Sequence, residues 1–137
     1  MERLKEFFNR DDFAKLCGIE LLSASPGHAI ARMQVGPQHL NGYRTVQGGA
    51  IFTLADFAFA AASNAHGRVA VAINVNISFI KAAFSGTLLA EARELSANPK
   101  LATYTVNITD DANALVAIFQ GLVYRKNETI ETALAKK

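Results

Sequence analysis

From Ala50 to Ala62 the chain runs almost without polarity, and one charged residue, Asp56, interrupts it. The run is rich in alanine, the best helix former, and poor in β-branched residues, so a helix is expected over residues 49–65. Gly67 lies just beyond as its C-terminal stop. Apolar residues fall almost all round this helix, so it has to be buried on most sides. A sheet that curls about the helix is one way to meet that demand. A carboxylate withdrawn from water is costly unless it is neutralised or hydrogen-bonded, which makes Asp56 a candidate functional acid. The glycine pair Gly48-Gly49 directly precedes the helix and allows a tight turn with close backbone approach.

The remainder alternates between turns and short periodic segments. Residues 1–16 read as one amphipathic helix, with Met1, Leu4, Phe8 and Phe7 on its apolar side. Strands are expected over 19–23 and 30–35, joined around Ser25-Pro26-Gly27. Residues 37–49, with Pro37, Asn41-Gly42 and Gly48-Gly49, form an ordered loop. After the helix the period changes to two. Ile73, Val75, Ile77 and Phe79 alternate with Asn74, Asn76 and Ser78, and further strands follow over 87–96, 101–109 and 115–124. Short turns between these strands favour antiparallel neighbours, because parallel strands need long crossovers. The expectation is an α+β fold, a single domain over 1–137. Its edges and outer sheet side invite a partner subunit.

Composition narrows the function classes. A chain of 137 residues with 50% apolar and 19% charged residues can bury a core of its own. The net charge is +2 and the basic residues are scattered, which argues against a nucleic-acid surface. Cys17 is the only cysteine, and His28, His39 and His66 are widely separated without ligand spacing, so no metal site is expected. The N-terminus lacks the apolar core of a secretory signal, and the 50–62 run is too short to span a bilayer. A cytoplasmic location without membrane insertion is the expectation.

The stretch from Asn41-Gly42 through Gln47-Gly48-Gly49 to Asp56 resembles the hot-dog fold thioesterases, in particular the phenylacetyl-CoA thioesterase-like (PaaI-type) group. The group's pattern is an asparagine, His-Gly-Gly six residues later, and an acid nine residues beyond the histidine. This chain keeps the spacing but has Gln47 at the histidine position. Asn76-Ile77-Ser78 with Gly86, and Leu115 through Arg125, resemble the later strands. The resemblance implies a hot-dog fold, a curved antiparallel sheet wrapped around one long central helix. It also implies hydrolysis of acyl-CoA thioesters to free CoA and a carboxylic acid, with no cofactor.

Carried over by position, Asp56 matches the catalytic carboxylate, acting as general base or as nucleophile. Gly48 matches the amide that binds the oxyanion, and Asn41 the loop asparagine that orients the site. A glutamine at 47 can hold groups in place but exchanges no proton at neutral pH. Candidate substrate contacts are Gly49, Phe52 and Asn74, with Arg68, Lys81 and Arg125 for the CoA phosphates. The resemblance further implies a homodimer with sites built across subunits, and possible pairing of dimers into a homotetramer. Two alternatives stand beside it: a non-catalytic acyl-CoA or lipid-binding protein, and an acyl-carrier-protein thioesterase.

Overall fold

A computed structural model describes residues 2–136, so the placement of Met1 on the apolar side of the first helix falls outside the described residues. Two short helices, α1 (Glu2–Phe8) and α2 (Asp12–Leu16), replace the single helix expected over 1–16. The break has a local cause. Asp11 adopts an extended backbone and its side chain accepts the Ala14 amide at 3.0 Å, which starts a new helix instead of continuing the old one.

Strands β1 (Ile19–Ser25) and β2 (His28–Gln34) form a hairpin turned by Pro26 and Gly27, the latter at φ 80°. The long helix α3 (Gly48–Asn64) follows the motif loop. Then come β3 (Arg68–Phe79), β4 (Thr87–Ala97), β5 (Leu101–Thr109) and β6 (Leu115–Thr129), and a closing turn of helix, α4 (Ile130–Leu134). All strand pairs are antiparallel and the sheet order is β1-β2-β4-β5-β6-β3. The connection β2–α3–β3 therefore carries the chain across the whole sheet.

This order corrects the expectation of a curved sheet wrapped around the helix. The sheet is open: β1 and β3 are its two edges and do not pair, whereas a sheet that closes must join its first and last strands. The fold is α+β and hot-dog-like, with α3 laid against the antiparallel sheet. The sequence correctly demands burial of α3, but other elements complete it. Phe8 of α1 meets Phe57 of α3 edge-on, with ring centroids 5.4 Å apart, so the N-terminal helices cover a side that the sheet does not.

On the sheet side Phe59 is the main anchor. Its ring packs against Phe119 and Tyr104 at centroid distances of 5.3 and 5.6 Å and lies over Gly121. The Tyr104 hydroxyl donates to Glu94 at 2.8 Å, so the buried phenol is satisfied. The alternation expected for β3 is only half realised. Val75 and Ile77 are half-buried, but a bulge between Ala72 and Asn74 and the edge position leave Ile73 and Phe79 exposed. Among the described residues no helix is long and apolar enough to cross a membrane.

A Cβ at position 121 would fall 2.5 Å from the Phe59 ring, inside van der Waals contact. Gly121→Ala is expected to destabilise the fold by about 1–3 kcal/mol, the usual range for overpacking. Urea unfolding with an unchanged m-value is the measurement that checks this.

Candidate active site

The site begins at the first turn of α3. Gln47 is the N-cap, in an extended conformation, and its Oε1 accepts the Gly49 amide at 2.6 Å. A Cβ on Gly49 would stand 2.5 Å from that oxygen, so glycine is what admits the cap. The Gly48 amide is the first of the helix and has no acceptor within the described residues. It is a donor at the positive end of a helix of 17 residues, suited to developing negative charge. Phe79 packs against Gly48, where a Cβ would approach the ring to 3.1 Å.

The loop before the helix is closed by Asn41. Its Oδ1 accepts the amides of Tyr43 and Thr45 at 3.0 and 3.1 Å, and its Nδ2 donates to the Thr45 hydroxyl at 3.0 Å. Arg44 takes φ 68° inside this turn, and Leu40 bridges Val46 at its base. Asn41 thus spends its side chain on the loop.

One residue was given no role by its sequence context and turns out central to the loop. His39 is 3% exposed. Its Nδ1 accepts the Gly36 amide at 2.9 Å, so Nε2 carries the proton and donates to the Cys17 carbonyl at 2.7 Å. Its own carbonyl accepts the Gln47 amide at 2.7 Å. One residue therefore ties the end of α2 to the cap of α3. A histidine without ligand spacing offers no sequence signal for this, since all of its partners are backbone groups.

Asp56 is half-buried in α3 and lies on its one open stripe, with Gly49, Phe52, Thr53 and Ala60 at helical spacing. Burial is the larger cause pushing its carboxyl above the usual range, and the negative charge of Asp11 adds to it. Along the helix Asp56 is eight residues from Gly48, about 12 Å at 1.5 Å per residue. The hollows beside the helix start keep the two apart. Gly48 lines one with Phe79, Ile80 and Lys81. Asn41, Gln47, Gly49 and Phe52 line another, of about 970 Å³, which ends at Thr53, one turn short of Asp56.

The other candidates divide by place. Lys81 stands beside Gly48 and pairs with Asp110 at 2.8 Å. Arg68 and Arg125 lie beyond the far end of α3. There Arg68 donates to the carbonyls of Lys126, Pro99 and Arg125, and Arg125 to that of Asn98. Asn74 lines a shallow hollow with Asn76, Leu95 and Gln120, away from both Gly48 and Asp56. Among the described residues no cluster of three or more His, Cys, Asp or Glu could hold a metal ion.

This geometry has relatives. The family model described as "Thioesterase superfamily" matches residues 43–117, which span the glycine pair and Asp56. A protein of Archaeoglobus fulgidus is 43% identical over 130 residues, covering 93% of this chain and 84% of that one. The acyl-coenzyme A thioesterase PaaI of Escherichia coli is 37% identical over 124 residues, covering 90% of this chain and 89% of that one. The solved structure of the E. coli PaaI protein from the phenylacetic acid degradation operon superposes with a TM-score of 0.90 at 35% identity, over 93% of this chain and 94% of that one. The chain belongs to the thioesterase superfamily of the hot-dog fold, within its PaaI-type group, and is a thioester hydrolase.

Proposed function

We propose that the chain hydrolyses acyl-CoA thioesters at a site completed by two copies, with Asp56 of one facing Gly48 of the other. The observation that carries this reading is the separation, on a single helix, of a free amide that lines a hollow with Phe79 and Lys81 and a carboxylate of raised pKa that lies one turn beyond the other groove. At about 12 Å apart they cannot serve one carbonyl within one chain. The thioesterase identity of the E. coli relative supports the substrate class.

In this mechanism the thioester carbonyl oxygen accepts a hydrogen bond from the Gly48 N–H. Asp56 takes a proton from a water whose oxygen attacks the carbonyl carbon. Negative charge gathers on the carbonyl oxygen, where the amide and the helix N-terminus stabilise it; one such donor is typically worth about 3 kcal/mol. The carbonyl re-forms, the carbon–sulfur bond breaks, and CoA departs as a thiolate, which the Asp56 proton or solvent neutralises. Gln47 and Asn41 hold the turn and move no proton. Of the three cations considered for the CoA phosphates, Lys81 is the one beside Gly48 and is retained for that role. The hydrogen bonds of Arg68 and Arg125 to carbonyls support a structural part for them.

The open edge supports the second copy. Among the described residues β3 has no partner on one side and exposes Val71, Ile73 and Phe79, with Ile80 just after it, the kind of edge that invites another strand. Sedimentation at micromolar concentration is expected to give a dimer or a dimer of dimers. A monomer that still turns over substrate would sink the shared site.

Thiol release from acyl-CoAs is the direct assay. Asp56→Asn is expected to lower turnover at least ~100-fold, as for a missing general base. Saturable binding without thiol release by the wild type would favour a binding protein instead. The raised carboxyl also has a pH consequence. The base must be charged, so kcat/KM falls as pH drops through a value above the ordinary carboxylate range. Asp11→Asn keeps an N-cap and removes the like charge, so it should move that acid limb to lower pH. An unmoved limb would disconnect Asp11 from the base.

A further inference from the structure

Helix α2 carries Phe13 and Leu16 three residues apart on one face, and both are turned outward, at 61% and 76% exposure. Single exposed apolar residues are ordinary. These two, however, border the 970 Å³ groove together with Leu40, Ala50 and Phe52. That groove reaches the α3 cap at one end and Thr53, a turn from Asp56, at the other. Among the described residues no Lys, Arg, Asp or Glu lines it, so it offers no charged side chain to the phosphates of CoA, and its Phe13, Leu16, Leu40 and Phe52 side suits the apolar end of a substrate. The wall is also held in place. The Cys17 carbonyl, directly after α2, is bound by the buried His39 ring, whose carbonyl in turn holds the Gln47 amide. Fixed supports of this kind are what let a pocket discriminate between ligands.

We propose that Phe13 and Leu16 are the specificity-determining wall of the acyl subsite. Acyl groups longer than acetyl then lie along α2 of the subunit that supplies Asp56. This inference rests on the acyl-CoA reading above and adds which segment selects the acyl group. Each methylene moved from water onto such a wall is worth about fourfold in affinity.

The test uses two non-hydrolysable thioethers, S-ethyl-CoA and S-octyl-CoA, bound to the full chain in calorimetry. The wild type is expected to bind the octyl compound much more tightly than the ethyl one. Phe13→Ala with Leu16→Ala is expected to weaken octyl binding by about tenfold or more and to change ethyl binding less than twofold. Leu16→Trp, which narrows the groove without emptying it, should also disfavour octyl over ethyl. An unchanged octyl-to-ethyl ratio in these variants overturns the wall, as does an unchanged ratio accompanied by a fall in oligomeric state, which makes the patch a subunit contact. Thiol release from octanoyl-CoA, run alongside, reads the hydrolysis separately. If thiol release is absent while the ratio shifts as expected, the catalytic reading fails and the wall stands.

Discussion

The need to cover α3 governs this molecule. A helix that is apolar nearly all round cannot rest on one flat support, and the sheet supplies only one face. Phe59 fixes that face by lying over Gly121 between Phe119 and Tyr104. Phe57 fixes another by meeting Phe8 of α1. What stays open is a narrow stripe through Gly49, Phe52, Thr53, Asp56 and Ala60. The Asp56 side chain has no other exit from α3, so the packing of the helix decides where that carboxyl meets its surroundings.

The cost of that arrangement falls on Asp56. A carboxyl whose folded-state pKa lies above its unfolded value contributes its full stability only below the unfolded pKa. That contribution is lost as pH rises through the folded value. Above that value the charged Asp56 therefore weakens the fold that holds it. The loop in front of α3 works the other way. Its polar groups are satisfied internally, through Asn41 on Thr45, Gln47 on Gly49, and His39 on Gly36 and Cys17. The Gly48 amide is left over, a free donor on a stiff turn.

The sequence made α3, the strand series and the motif turn legible because each rests on local chemistry. Alanine content marks the helix, alternation marks the strands, and Asn41 with Gly48-Gly49 marks the loop and its turn into α3. The shape of the sheet was not legible. All-round apolarity says that α3 must be covered but not by which elements, and α1 and α2 do part of what was ascribed to a curled sheet. The break at Asp11 escaped because one capping side chain decided it within an otherwise periodic pattern. Arg68 and Arg125 could not be told from ligand-binding cations, since their partners are carbonyls brought near only by the β3–β6 and β5–β6 pairings. His39 was silent for the same reason.

The helix α2 lies outside the stretch 43–117 that carries the family's signature, yet a single imidazole fastens it to the cap of the reactive helix. The proposed base on α3 and the proposed acyl wall on α2 thereby occupy separate lengths of chain that His39 helps to link. Under those proposals Phe13 and Leu16 can diverge, altering what enters the groove, while the Gly48 amide and Asp56 are left as they are. In this respect the molecule is modular below the level of the domain.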